Sequence, residues 1–281
     1  MNTFRTAVLL AAITGLFLAI GFLLGGTPGI IIALVLAGVM NFFAYWSSDK
    51  LALRMAGARE VSPEEAPGLH RTVEEVSHLS GMPKPRVYIV ENETPNAFAT
   101  GRNPEHAAVA VTTGIMRLLD ERELRGVLGH ELGHVRNRDI LTSAIVATLA
   151  GAISMLAWMG MWFGGGRSRD NAYGGIIALA VLIIAPIAAA MIQMGISRTR
   201  EYAADRTGAE VTHDPEALAS ALEKLERGVQ ARPLDATPMA ESTAHLYIVH
   251  PFAGGVGRLF STHPPIEERV RRLREMAYGP R

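Results

Sequence analysis

The chain has 281 residues, of which 49% are hydrophobic and 19% are charged. Its 27 basic and 27 acidic residues give a formal net charge of zero, and no pattern of basic and aromatic residues indicates a nucleic-acid partner. Because the chain contains no cysteine, disulfides, thiolate metal ligands and a cysteine nucleophile are all excluded.

The hydrophobic residues are concentrated in four uncharged runs of 18 to 23 residues. A helix of that length can cross a hydrocarbon core about 30 Å thick. The first run is too long for the apolar part of a signal peptide and passes directly into the second, so we expect a retained membrane anchor. The four runs comprise residues 8–26, 29–46, 141–163 and 174–195.

These runs divide the chain into two predicted membrane hairpins and one globular domain made of two segments. We expect the hairpins at residues 1–46 and 141–195, and the segments of the globular domain at residues 47–140 and 196–281. Basic residues follow the second and fourth runs and precede the third, whereas the turn between the first two runs has none. The positive-inside rule therefore predicts that the N-terminus and the globular domain lie in the cytoplasm.

The globular segments are predicted to be mainly α-helical with a small β-sheet. Residues 63–80 have the apolar periodicity of an amphipathic helix. Residues 86–90 are predicted to form a strand, and residues 96–100 and 107–112 a pair of strands joined by a turn. A further helix is predicted over residues 121–138, which have helix-forming composition and no proline.

This last helix contains the motif H-E-x-x-H at residues 130–134. Four helical residues turn through about 400°, so His130 and His134 leave the same face and can bind one Zn²⁺ ion. Glu131 is then placed to accept the proton of a water molecule that the zinc activates. The alternative is an accidental match on an amphipathic helix.

A catalytic zinc ion with two histidine ligands needs a third protein ligand and an open position for water. Glu201 and Asp205 are four residues apart and would share one face of a helix. Beside H-E-x-x-H, this spacing is typical of the glutamate-ligand zinc peptidases, although a solvated acidic pair among arginines is the alternative. We expect Glu201 to complete the ligands of one zinc ion per chain, and Asp205 to accept the N–H of a ligand histidine.

Four motifs together resemble the HtpX-type membrane-bound zinc endopeptidases of bacteria and archaea, distant relatives of the CAAX prenyl endopeptidases. Their order and the hydrophobic hairpin between the second and third also match, so the resemblance covers nearly the whole chain. It implies a multi-pass protein of the prokaryotic plasma (inner) membrane, whose cytoplasmic gluzincin-type domain removes misfolded or damaged membrane proteins. The motifs are NAFATG at residues 96–101, GHELGH at 129–134, REYAAD at 200–205 and STHPPIEER at 261–269.

The remaining predicted site residues have structural alternatives. His263 is the candidate donor to the tetrahedral oxyanion, although it could instead cap the helix that Pro265 begins. Arg269 could donate to the oxyanion instead of His263, and would then contact the substrate. One predicted strand would lie at the edge of the cleft and bind an extended substrate through its backbone, although an ordinary buried strand fits it equally well. The residues of this strand are Asn96, Ala97, Phe98 and Ala99.

Two other functions are alternatives to a quality-control endopeptidase. The first is a site-specific processing protease of the prenyl-endopeptidase kind, for which four spans are too few to enclose a large intramembrane chamber. The second is a non-catalytic quality-control adaptor with a structural zinc ion. A closed structural site normally has four protein ligands, whereas the motifs supply three and also Glu131. We therefore expect a zinc endopeptidase that contacts unfolded or membrane polypeptides and the lipid bilayer, and no nucleic acid.

Overall fold

The computed structural model divides the chain into two compact units. One unit comprises Met1–Trp46 and Thr142–Ile196, and the other comprises Ser47–Leu141 and Ser197–Arg281. The predicted membrane runs lie almost entirely outside the described residues, and no helix within the described part is long and apolar enough to cross a membrane. The described residues are 52–101, 103–137, 139, 198–234, 247–249 and 264–279, with scattered positions between 22 and 50.

The second unit contains a four-stranded mixed sheet. Its strands are Ala58–Glu60 (β1), Arg86–Val90 (β2), Ala97–Thr100 (β3) and Ala108–Thr112 (β4). Their order across the sheet is β1-β2-β4-β3, with β2 and β4 parallel and the two outer pairs antiparallel. All five residues of β4 are buried, as expected for an inner strand, whereas β3 lies at the edge of the sheet.

The helices of the second unit make the fold mainly α-helical, as the sequence predicts. The α-helices with six or more consecutive described residues are Pro67–Leu79 (α1), Thr113–Leu118 (α2), Glu121–Arg136 (α3), residues 198–212 (α4), Pro215–Ala231 (α5) and Ile266–Tyr278 (α6). The sequence also predicts strands β2, β3 and β4 and helices α1 and α3, each within a few residues of its observed bounds. It misses β1, because three residues are too few to show an alternating pattern.

The helices α3 and α5 begin at strong capping residues. Asp120 accepts a hydrogen bond from the backbone N–H of Glu123, whose side chain accepts one from the backbone of Asp120, so α3 starts with a capping box. Asp214 caps α5 by accepting from the backbone N–H of Ala217, and Pro215 occupies the first helical position. These contacts fix where each helix begins, and so which residues of α3 face the site.

Helix α3 lies at the centre of the unit. It packs against α1 and α5 and against strand β3. Its side chains Val127, Leu128 and Leu132 are completely buried in the hydrophobic core. Because α3 is packed on several sides, its histidines are carried by a rigid element.

Glycines allow α4 to approach α3 closely. A Cβ atom placed on Gly208 of α4 would lie 2.6 Å from the backbone nitrogen of His130 and 2.9 Å from the carbonyl carbon of Gly129. A Cβ atom on Gly133 would lie 3.3 Å from the carbonyl oxygen of Ala204. The absence of side chains at these glycines thus brings the acidic residues of α4 within reach of the histidines of α3.

Candidate active site

The two histidines of the motif direct their Nε2 atoms towards each other. The His130 and His134 rings stand one turn apart on α3, with centroids 4.7 Å apart and an interplanar angle of 85°. Their Nε2 atoms are separated by 3.2 Å. Two imidazole nitrogens that converge in this way can both bind one metal ion, as the spacing predicts.

Helix α4 adds a carboxylate to this pair. The Oε1 atom of Glu201 lies 3.3 Å from Nε2 of His134, and its Oε2 atom lies 3.7 Å from Nε2 of His130. One ligand atom from each of the three residues lies within 4.8 Å of the others. The set of two nitrogens and one carboxylate oxygen matches the protein ligands of a catalytic zinc ion.

Each histidine also has a carboxylate beside its other ring nitrogen, Nδ1. Oδ1 of Asp205 lies 2.9 Å from Nδ1 of His130, and Oδ2 of Asp139 accepts from Nδ1 of His134 at 2.9 Å. A carboxylate beside Nδ1 leaves Nε2 to carry the lone pair of the neutral ring, which is the form of imidazole that binds a metal ion. The sequence predicts this role for Asp205. It does not predict the role for Asp139, because that residue follows the end of the motif helix and lies next to a hydrophobic run.

The local electrostatics favour a positive charge at His134. Burial alone would lower the pKa of His134, but Glu201 and Asp139 outweigh it and raise the pKa to about 10. Burial would raise the pKa of Asp205, but the guanidinium of Arg269 outweighs this and lowers the pKa to about 2. A pocket of carboxylates that stabilises positive charge at this point is also what a divalent cation requires.

The predicted base Glu131 is buried beside the histidines and contacts the edge strand. Its Oε2 atom accepts a hydrogen bond of 2.9 Å from the backbone N–H of Ala99. Burial raises the pKa of Glu131, and the neighbouring histidines oppose this shift. A carboxylate whose pKa is raised in this way holds a proton more readily than one in water, which suits a group that must accept and return a proton.

The orientation of β3 explains this contact. The carbonyl of Asn96 accepts from the N–H of Thr112, and the antiparallel register continues from Ala97 opposite Val111. Because hydrogen-bonded and non-hydrogen-bonded pairs alternate, the backbone groups of Ala97 and Ala99 point away from β4. They therefore point out of the edge of the sheet, the side on which Ala99 meets the motif helix.

Arg269 reaches the metal site through Asp205. Its side chain is 0% exposed, and its Nε and Nη2 atoms donate to the two oxygens of Asp205 at 2.8 and 2.7 Å. Its Nη1 atom donates to the carbonyl of Ile248 at 3.3 Å and lies 3.6 Å from Oε2 of Glu201. The sequence does not indicate these partners, and the predicted contact of Arg269 with substrate stays a prediction.

The other predicted residues fall into two groups. The strand residues Asn96, Ala97, Phe98 and Ala99 are all buried. The Oδ1 atom of Asn96 accepts from the backbone N–H of Ile248 at 3.1 Å. His263 lies outside the described residues, so its role as a donor stays a prediction.

Comparisons with known proteins point to one family. The sequence model of Peptidase family M48 matches residues 63–277. A "Protease HtpX homolog" of Persephonella marina is 56% identical over 282 residues, covering 99% of this chain and 98% of the relative. One of Paraburkholderia phytofirmans is 54% identical over 277 residues, covering 98% of this chain and 97% of the relative. The resemblance identified from the four motifs is thereby confirmed.

A solved structure shares the fold at much lower sequence identity. The crystal structure of Ste24p from S. mikatae superposes with a TM-score of 0.59 and is 18% identical. The match covers 94% of this chain but 62% of the Ste24p chain. At this identity the likeness concerns the fold alone.

Proposed function

The chain belongs to peptidase family M48 and is a metalloprotease, and on that premise we propose a zinc-dependent endopeptidase of membrane protein quality control. The observation that carries the proposal is the convergence of His130, His134 and Glu201 beside the carboxylate of Glu131. Within the described residues these three side chains form the candidate ligand set, and three ligands leave a coordination position open, as a catalytic zinc ion needs and a closed structural site does not. This favours an enzyme over an adaptor with a structural metal.

In this proposal the three residues hold one zinc ion through two Nε2 atoms and a carboxylate oxygen. When bound, zinc supplies a Lewis acid that activates water and polarises the scissile carbonyl. Asp205 and Asp139 keep the two imidazole rings in the orientation that presents Nε2 to the ion.

Glu131 is the proposed general base. Its carboxylate accepts the proton of the attacking water and then delivers it to the leaving amine. The hydrogen bond from the N–H of Ala99 fixes Oε2 of Glu131, so the base is held in place before a substrate arrives. The raised pKa of Glu131 favours its holding the proton between these two transfers.

Substrate binding is proposed along the edge strand β3. The outward backbone groups of Ala97 and the outward carbonyl of Ala99 can pair with an extended polypeptide, whereas the N–H of Ala99 already donates to Glu131. Asn96 and Phe98 are the neighbours of Ala97 in the chain. Pairing through backbone hydrogen bonds depends little on the side chains of the substrate. It therefore suits unfolded or damaged polypeptides better than one defined processing site.

Hydrolysis of casein by detergent-purified protein tests the proposal. We expect cleavage at many sites, loss of activity with a chelator, and recovery when zinc is added back. Glu131→Gln should abolish hydrolysis while keeping bound zinc, because the amide preserves shape but cannot accept a proton. Glu121→Gln, an exposed change in the first turn of the same helix, is the matched control and should remain active.

Each outcome separates the possible functions. Retained turnover in Glu131→Gln would remove this residue as the base. A parent protein that binds zinc but hydrolyses no polypeptide would favour the adaptor. Cleavage at one defined position would favour a processing protease.

The proposed membrane arrangement is multi-pass in a prokaryotic plasma membrane, with the site on the cytoplasmic side. Because the chain has no cysteine, single cysteines can be introduced for labelling. An impermeant thiol reagent added to intact cells should label Ser168→Cys and miss Ser62→Cys. The reverse pattern would overturn the orientation, and labelling of neither would indicate that the hairpin at residues 141–195 fails to cross.

A further inference from the structure

A buried backbone segment connects the edge strand to the arginine behind the metal site. Ile248 is 4% exposed, and both of its backbone polar groups are hydrogen-bonded. Its N–H donates to Oδ1 of Asn96 at 3.1 Å, and its carbonyl accepts from Nη1 of Arg269 at 3.3 Å. The peptide groups of Ile248 therefore tie the residue that precedes β3 to helix α6.

From Arg269 the polar contacts continue to a predicted metal ligand. The guanidinium holds both oxygens of Asp205, at 2.8 and 2.7 Å, and Oδ1 of Asp205 lies 2.9 Å from Nδ1 of His130. Both Arg269 and Asp205 are buried. A buried pair with two parallel hydrogen bonds has a defined geometry, because the planar guanidinium matches a carboxylate in one orientation.

We propose that Asn96 is a positioning residue for the metal site. It acts through Ile248, Arg269 and Asp205 on the imidazole of His130. This inference rests on the proposed zinc site but gives Asn96 a role that does not require it to touch substrate. It also connects the strand proposed to bind substrate with the orientation of a metal ligand.

The physical basis of this role is that the side-chain oxygen of Asn96 accepts from the backbone N–H of Ile248 and so fixes the position of that peptide group. A buried N–H must be paired, so the amide oxygen of Asn96 determines where this peptide lies. The carbonyl of the same residue then accepts from Arg269 and limits the positions of the guanidinium. Both carboxylate oxygens of Asp205 accept hydrogen bonds from Arg269. A shift of the guanidinium therefore moves the carboxylate that orients His130.

Zinc affinity of the full-length protein, measured by competition with a chromophoric chelator, is the decisive readout. Asn96→Ala should weaken zinc binding by roughly 2- to 30-fold, the scale of a coupling transmitted through intermediate residues. Asn96→Asp keeps an oxygen that accepts from Ile248 and should bind zinc close to the parent level. Asn92→Ala is the matched control, because its Oδ1 also accepts a backbone N–H, from Thr94, in the same loop. It should leave zinc affinity unchanged.

A double-mutant cycle separates coupling from independent damage. Arg269→Lys keeps the positive charge but loses the forked contact, and should weaken zinc binding by roughly 10- to 100-fold. If Asn96 acts through Arg269, adding Asn96→Ala to Arg269→Lys should weaken binding little further.

Several results would overturn the inference. The first is that the losses of zinc affinity in the double-mutant cycle are additive. The second is an Asn96→Ala protein with parental zinc affinity and a raised KM. The third is an equal loss of zinc affinity in Asn96→Ala and Asn96→Asp. If the Asn96→Ala variant does not fold, the zinc affinities of Asn96→Asp and Arg269→Lys can still be compared with that of the parent. A parental zinc affinity in Arg269→Lys would also contradict the proposal. A parent protein that binds no zinc would instead refute the proposed metal site itself.

Discussion

Asp139 accepts a hydrogen bond from Nδ1 of His134 at 2.9 Å, three residues beyond the end of the motif helix. Oδ1 of Asp205, on α4, lies at the same distance of 2.9 Å from Nδ1 of His130. Each histidine of the predicted metal pair thus has its own carboxylate, one supplied by a neighbouring position in the chain and one by a distant helix. The carboxylates at Nδ1 orient both rings so that the two Nε2 atoms can bind one ion.

Asp139→Ala should weaken zinc binding by about 10- to 100-fold, because His134 loses the acceptor that fixes its tautomer. Asp139→Asn keeps an acceptor oxygen and should lose less. Chelator competition measures both. Equal zinc affinity in Asp139→Ala and the parent would show that the contact does not orient the ligand.

Glu201→Gln should weaken zinc binding more than any change outside the ligand set, because it replaces an anionic ligand with a neutral amide. Asp205→Ala should cost less, on the order of 10- to 100-fold. Metal analysis after dialysis against graded chelator concentrations ranks the two variants. A Glu201→Gln protein that holds zinc as tightly as the parent would place the third ligand elsewhere.

Gly208→Ala should lower both thermal stability and zinc affinity. The added Cβ would approach the backbone of His130 and Gly129 at 2.6 and 2.9 Å, and backbone atoms cannot rotate away as a side chain can. Helix α4 must therefore move away from α3 and carry Glu201 with it. Overpacking of this kind costs about 1–3 kcal/mol.

Gly68→Ala is the matched control for this change, because its Cβ would meet nothing within 4 Å in helix α1. It should be neutral or slightly stabilising, since alanine restricts the unfolded chain. Thermal unfolding and chelator competition on both variants make the comparison. A Gly208→Ala protein with parental stability and zinc binding would show that α3 and α4 can separate without cost.

The sequence predicts the parts of the site that depend on local spacing. His130 and His134 share a face because a helix has 3.6 residues per turn, and Glu201 and Asp205 follow the same rule. Strands β2, β3 and β4 are predicted from their residue preferences and the turn residues that bound them. Each of these patterns can be recognised within a few adjacent residues.

The contacts that organise the site across the fold are not predicted from the sequence. The approach of Gly208 to His130 depends on how two helices cross, and no single residue indicates the crossing. Ile248 acts through its peptide groups, which every residue type except proline possesses in full. The sequence does not show which residue pairs with Arg269, because an arginine in a charged helix is usually solvated.

His263→Ala is the remaining test of the catalytic prediction. Helix α6 begins at Ile266, and Pro265 precedes it as the capping residue, so His263 comes shortly before the helix start. If His263 donates to the oxyanion, its loss should lower kcat by roughly 10²–10³-fold with little change in KM. Zinc content and thermal stability should stay close to the parent, because the side chain would not bind the metal.

A role limited to starting α6 gives a different pattern for the same variant. Activity and stability should then fall together and by modest amounts, because misplacement of α6 also displaces Arg269 from Asp205. Steady-state kinetics and thermal unfolding of one preparation distinguish the two patterns. A fully active but less stable His263→Ala protein would rule out the oxyanion role. Arg269 would then be the next donor to test.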